Sequence, residues 1–263
     1  MEEVHLWRGT AAQRALRPPA GDLSRFVYFD QQLDYPDWSN QPVLDFGGNV
    51  GNLLRGAGGA IRPENYYCID VLEEAIAEGR RNFPQAHWIH FNRYNCSFNP
   101  EGLADLPVPD MGIEFGMILA YSVFTHTTRE EMKDLVEQLE MRLAPCGVLA
   151  FTFIDPHFNA QPGTYNGNNL KWRLERAQEM NPNVDIEALL EQSRGAEWCA
   201  LIDGTDLYVN SNGDWNERAR TQTCITYNVF HTVEFLQQEF PSAVICPPVN
   251  AAMHHCCILR RKP

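Results

Sequence analysis

Residues 43–54, VLDFGGNVGNLL, set a short apolar run against a glycine-dense turn and then against an apolar-spaced segment. A strand that breaks into such a turn and reopens as a helix starts an α/β rhythm, and the rhythm continues downstream. NYYCID reads as a second strand. VLEEAIAEGRRNFP reads as a helix with Leu72, Ala75, Ile76 and Gly79 on one face, stopped by Pro84. AHWIHF is a third strand. FGMILAYSVF, apolar throughout, is a fourth and is expected to be buried on both faces. TREEMKDLVEQLEMRLAP is an amphipathic helix with Met132, Leu135, Val136, Leu139 and Leu143 on one side and Thr127 or Thr128 as its cap, and GVLAFTFID is a fifth strand. Strands returning in one direction through helices build a doubly wound, mostly parallel sheet. Ligands of such sheets bind outside the carboxyl ends of the strands, which here are residues 45–51, Asp70, Asn92, 121–126 and 155–157.

The rhythm has two interruptions. Residues 1–40 form a polar leader dotted with aromatics, and residues 156–222 are polar and aromatic. The second stretch is too long for a connection inside a compact domain and is read as an inserted lid carrying acceptor-binding residues. Within it NVDIEALLEQSR is a helix. After it come TCITYNVF, the helix TVEFLQQEF, the strand SAVICPPV and a last strand HHCCILRR, the final two being antiparallel neighbours. A chain of 263 residues suits one domain spanning 1–263 with this insertion.

Composition narrows the partners. The net charge of −13 opposes a phosphate backbone, and the only basic cluster is Arg260-Arg261-Lys262, so no nucleic-acid partner is expected. No apolar run has the length of a signal peptide or a membrane span. Eight cysteines without a C-x-x-C pair read as reduced core residues of a cytoplasmic protein, and Cys256 and Cys257 should face opposite sides of one strand.

The turn itself selects a ligand class. Aligned on Gly47, the dinucleotide fingerprint G-x-G-x-x-G would need glycine where Asn49 and Asn52 stand, and backbone cannot then close on a pyrophosphate. Asp45-x-Gly47-x-Asn49-x-Gly51 instead resembles the first motif, D-x-G-x-G-x-G, of the class I S-adenosylmethionine (SAM)-dependent methyltransferases. Asparagine replaces one glycine and is the residue that best tolerates the left-handed conformation. Asp70, nineteen residues after Gly51, and the run ILAYSVFTHT followed by an amphipathic helix and LAPCGVLAFTF strengthen the resemblance, which covers residues 40–155 well.

The resemblance implies a seven-stranded sheet of order 3-2-1-4-5-7-6 with the last strand antiparallel, and SAM as cofactor. Asp45, Gly47, Gly48, Asn49 and Gly51 would hold its methionine part. Asp70 would hold the ribose and Val71 the adenine face. Asn92, Arg93 or Tyr94 would lie at the adenine edge, with Tyr121 and Ser122 under the sulfonium.

For the chemistry a histidine base is sought. His157, opening the insertion, stands first and His126 second; His231, His254 and His255 are further histidines near strand ends. Tyr165, Trp172, Trp215 and His231 are the candidate acceptor contacts, with Trp198 and Tyr208 nearby. A small satellite core or a homo-oligomer contact is the competing reading of these aromatics. Asp155-x-His157 offers too few ligands for a metal, so none is expected. After the fourth strand Ala120-Tyr121-Ser122-Val123 stands where base-methylating enzymes carry N/D/S-P-P-Y/F. Methyl transfer to a hydroxyl, carboxyl or amine of a small metabolite, as in specialised biosynthesis, is therefore expected. A nicotinamide-dependent oxidoreductase and a non-catalytic SAM- or nucleotide-binding protein are the alternatives.

Overall fold

The computed structural model describes residues 24–158, 169–202, 204–209, 227–249 and 253–263. Seven strands form one sheet: β1 (Val43–Phe46), β2 (Tyr66–Asp70), β3 (His87–His90), β4 (Phe115–Ala120), β5 (Leu143–Phe153), β9 (Val244–Cys246) and β10 (His255–Arg260). Their order is β3-β2-β1-β4-β5-β10-β9, with β10 antiparallel to both of its neighbours. This is the expected 3-2-1-4-5-7-6 arrangement.

Period-two alternation sends each strand's side chains to two cores. Leu44, Phe46, Ile69, Ile118, Leu149, Phe151 and Cys257 enter one, and Val43, Cys68, Met117, Leu119, Ala150 and Cys256 the other. The adjacent cysteines thus face opposite layers. The first layer is closed by α4 (Arg129–Glu140), which buries Met132, Leu135, Val136 and Leu139, and by α7 (Val233–Glu239) with Phe235 and Leu236. The spacing of the four α4 residues puts them on one helical face. A capping box formed by Thr128 and Glu131 starts that helix, a device that contributes about 1 kcal/mol.

The second layer is closed by α1 (Arg25–Gln32), α2 (Asn52–Gly56) and α3 (Glu73–Asn82), through Tyr28, Phe29, Leu53, Leu54 and Ile76. The helix α1 lies inside what the sequence presented as a leader. Its Ser24 cap accepts from Val27 N–H, and its buried ring pair gives it a place in the core.

A second, smaller sheet stands beside the first. NVF belongs to β8 (Tyr227–His231), which pairs with β6 (Trp198–Ile202), and β6 also pairs with β7 (Asp206–Val209), in a separate antiparallel sheet of order β7-β6-β8. Trp198, Ala200, Ile202 and Val229 point from this sheet into the main core. Cys199, Leu201 and Phe230 point the other way, against Leu170, Leu174 and Ala177 of α5 (Asn169–Met180), with α6 (Ile186–Ser193) beside them. The small sheet is therefore pinned on both faces. No helix among the described residues is long and apolar enough to cross a membrane.

Candidate active site

The chain order of the main sheet reverses between β1 and β4, the position at which open α/β sheets form a crevice. A cavity of about 300 Å³ opens there. Segments following four successive strands wall it: residues 46–52 after β1, 69–72 after β2, 91–98 after β3 and 121–127 after β4. Arg25 of α1 and Glu131 and Leu135 of α4 complete it.

The glycine turn is shaped by positive backbone angles, with φ of 73° at Gly47, 57° at Asn49 and 82° at Gly51. Asn49 thus takes the left-handed conformation expected of it, and its side chain accepts from Val50 N–H at 2.9 Å. A Cβ at Gly47 would lie 2.4 Å from Val123 of the β4 loop, and one at Gly48 2.7 Å from the Asp45 carboxylate. Glycine at 47 therefore lets the turn meet the β4 loop, and glycine at 48 lets it close over Asp45 and Cys68.

Asp70 ends β2 and is held from both sides. Its Oδ2 accepts from Asn49 N–H at 2.7 Å and its Oδ1 from Leu72 N–H at 2.9 Å. The carboxylate so fixed forms part of the cavity wall. Asp45 sits beneath the turn rather than in the wall, 1% exposed, and accepts from Tyr66 Oη at 2.5 Å. Burial lifts its carboxyl to about 6, with the Asp70 carboxylate adding to the rise and Arg25 and the Tyr66 hydroxyl opposing it.

The Asp45 shift predicts a pH effect. The folded chain keeps a proton on Asp45 up to about pH 6, while the unfolded chain loses it near the ordinary value of 3.8. Stability from this residue therefore falls as pH rises between those values, by on the order of 2–3 kcal/mol. Asp45→Asn retains an acceptor for Tyr66 and should flatten that slope in urea titrations at pH 4.5 and 7.5. An unaltered slope would contradict the assignment.

The β4 loop supplies the opposite wall. Ser122 has φ 56°, its N–H donates to Thr152 Oγ1 at 2.7 Å, and its hydroxyl lies 2.9 Å from Thr125 Oγ1. A non-glycine residue held in this region stores strain of a kind found at ligand-facing positions. Tyr121 is edge-on to Tyr28 and lies under the Arg25 guanidinium, 5.5 Å from ring centroid to Cζ. Burial raises its phenol and Arg25 opposes the shift. His126 ends the loop's 3₁₀ turn, Phe124–His126, edge-on to Phe98 at 5.3 Å. Its carbonyl accepts from Asn95 Nδ2, which ties the β3 and β4 loops together.

Of the residues singled out in the sequence, Gly47, Asn49, Asp70, Val71, Arg93, Tyr94, Tyr121, Ser122 and His126 line the cavity. Asp45, Gly48 and Gly51 back the turn, and Asn92 turns outward to accept from Asn99 Nδ2. Arg93 is buried and spans Leu106 O and Asp134, so it braces its loop.

His157 is not in this wall. Its Nε2 lies 3.1 Å from Ser193 O and its N–H donates to Asp155 Oδ1, while Asp155 Oδ2 accepts from Val233 N–H. Asp155 and His157 thus fasten the inserted segment to β5 and α7. His231 is fully buried, stacks on Phe235 at 5.2 Å, and is pushed by burial down to about 3. Trp172 lies on α5 beside Arg173 and Arg176. Tyr165 and Trp215 lie outside the described residues. No group of three or more metal-ligating side chains gathers among the described residues.

Sequence reasoning passed over Arg25, Asn52, Asn95, Phe98 and Glu131. Arg25 had a legible signal: a serine cap followed by aromatics at helical spacing, in Ser24-Arg25-Phe26-Val27-Tyr28-Phe29.

Residues 44–149 match the family model of the methyltransferase domain. Solved structures that share the fold include the following three. The glycopeptide N-methyltransferase MtfA with S-adenosylhomocysteine is 10% identical, over 93% of this chain and 91% of that one, at a TM-score of 0.51. A SAM-dependent methyltransferase from Clostridium acetobutylicum ATCC 824 is 8% identical over 99% and 98%, at 0.53. CalS10, a SAM-bound amino pentose methyltransferase from Micromonospora echinaspora, is 14% identical over 96% and 95%, at 0.50. No curated protein matches the chain in sequence. The family match and the fold agree. Residues 44–149 match a methyltransferase domain, and the whole chain has the fold that these solved methyltransferases share.

Proposed function

We propose that the chain transfers the SAM methyl group to a small-molecule acceptor in the cavity between the β1, β2 and β4 loops. The observation carrying this reading is the fixed Asp70 carboxylate set among apolar walls, beside a turn that only small or left-handed residues can form. These features fit SAM. Asp70 would accept from both ribose hydroxyls, and Val71, Leu72, Phe91 and Tyr94 would enclose the adenine. Gly47 and Asn49 would let the methionine part approach, and Arg25, 3.5 Å from Gly47 O through Nη1, would meet its carboxylate. Bound there, SAM supplies an electrophilic methyl group.

The protein's own contribution is placement, exclusion of water and, for a hydroxyl acceptor, removal of a proton. Tyr121 and Ser122 would border the transferring methyl. His126, in the cavity wall, is the better-placed base; His157, held against Ser193 O, serves the attachment of the insertion. Residues 156–222, with β6, β7, α5 and α6, would form the acceptor-side cover. The charge of −13 and the sequence Ala120-Tyr121-Ser122-Val123 favour a metabolite over a nucleic acid. The solved structures that share the fold include a glycopeptide N-methyltransferase and an amino pentose methyltransferase, which supports a small-molecule acceptor.

Incubation with deuteromethyl-labelled SAM and separate pools of metabolites, transfer RNA and duplex DNA tests the reading by mass spectrometry. Label is expected in the metabolite pool alone. His126→Gln should lower kcat by about a hundredfold for a hydroxyl acceptor with S-adenosylhomocysteine affinity unchanged. Label in nucleic acid would overturn the acceptor class.

A further inference from the structure

Beyond the Tyr121 wall of the cofactor cavity, three buried nitrogens on α5 and at the start of β10 have no hydrogen-bond partner: Arg173 Nε, His254 Nε2 and His255 Nδ1. Arg173 projects from α5, and its Nη2 lies 3.8 Å from Met253 Sδ. Its Cζ is 5.7 Å from the Trp172 ring centroid and 5.9 Å from that of Phe230. Among the described residues the ion pairs of arginine engage other arginines, and no carboxylate there answers this one.

The cluster adjoins the cavity through Tyr121. His254 Nδ1 lies 3.5 Å from Tyr121 Oη, with the rings 5.0 Å apart, and Tyr121 is a cavity wall. His255 stacks on Phe153, the last residue of β5, and meets the edge of Phe158. Burial lowers His254 to about 3, with Arg173 the next contributor, and lowers His255 to about 4 against the pull of Asp155. Both imidazoles are therefore neutral near pH 7, and each has one N–H to offer. Burial brings Arg173 down to about 10, so it stays charged.

A buried guanidinium without a carboxylate costs the fold stability that its ring contacts only partly offset. Groups that break a local rule in this way concentrate where a ligand completes them. The planar guanidinium fork matches a carboxylate or phosphate. The surrounding rings favour an apolar body on the same ligand. A chain of net charge −13 would also repel an anion unless a local cation received it.

We infer that Arg173, with His254 between it and Tyr121, binds an oxyanion of the methyl acceptor, so that the acceptor is a carboxylate- or phosphate-bearing small molecule held on the Tyr121 side of the cavity. The inference rests on the small-molecule methyltransferase reading above.

The test is calorimetry on the full chain saturated with S-adenosylhomocysteine, titrated with benzoate, phenyl phosphate and the neutral benzamide. One of the two anions should bind in the millimolar range or tighter, identifying the oxyanion, with benzamide weaker by about tenfold or more. Arg173→Gln should weaken that anion by about tenfold and Arg173→Lys by less, with S-adenosylhomocysteine affinity unchanged in both. Equal binding of benzamide, unchanged binding in Arg173→Gln, or no binding of either anion at tens of millimolar would overturn the inference. Arg173→Met separates a ligand role from a structural one. Its melting temperature should equal or exceed that of the parent, and a drop of several degrees would make Arg173 a structural residue. Failure of S-adenosylhomocysteine itself to bind would strike the methyltransferase reading instead.

Discussion

Asp70→Ala is expected to weaken S-adenosylhomocysteine binding by a hundredfold or more while the chain stays folded. The carboxylate is fixed by Asn49 N–H and Leu72 N–H, one on each oxygen, and forms part of the cavity wall. Hydrogen bonds to a charged acceptor contribute about 1.5–3 kcal/mol each, so losing two to the ribose removes two or more decades of affinity. The variant also frees Asn49 N–H, which loosens the turn on the methionine side. Asp70→Asn keeps one acceptor oxygen and should fall between. Calorimetry with urea unfolding as a control separates binding from stability, and unchanged affinity in Asp70→Ala would remove the ribose assignment.

Trp88→Ala carries the largest expected stability loss, about 3–5 kcal/mol. The indole is 7% exposed on β3 and fills space that two glycines leave open. A Cβ at Gly79 would lie 2.1 Å from its ring and one at Gly51 2.7 Å. Its Nε1 donates to Phe83 O at 3.0 Å, and its ring meets the edge of Tyr66, whose hydroxyl holds Asp45. The indole is therefore the floor of the glycine turn as well as a core residue, and cofactor affinity should fall with stability. Trp88→Phe, which refills part of the space, should recover much of both. A loss below about 1 kcal/mol in the unfolding free energy from urea titration would show that the site collapses around the missing ring.

The main sheet was legible because each strand is short, apolar and followed by a helix with a clear buried face, as Ala75, Ile76 and Gly79 of α3 and the four buried residues of α4 illustrate. Strand partners were less so. Asn228 to Phe230 read as a strand and are one, yet they pair with β6 in the small sheet, a choice made by tertiary packing around Trp198 and Phe230. The cofactor side of the site was legible because strand ends fix Asp70 and the turn fixes Asn49. The acceptor side was not. Asp155-Pro156-His157 leaves β5 toward α5 and α7, and that path turns His157 to Ser193 instead of to the cavity. Arg25 escaped although its helix was legible from the serine cap and the aromatics after it, because its reach to Gly47 is a contact between segments distant in the chain.

The central claim is that the glycine turn and Asp70 together hold SAM. Calorimetric titration of the wild-type chain with S-adenosylhomocysteine, beside NADH under the same conditions, tests it most directly. The account predicts micromolar binding of the first and none of the second. Binding of NADH alone, or of neither, would contradict it.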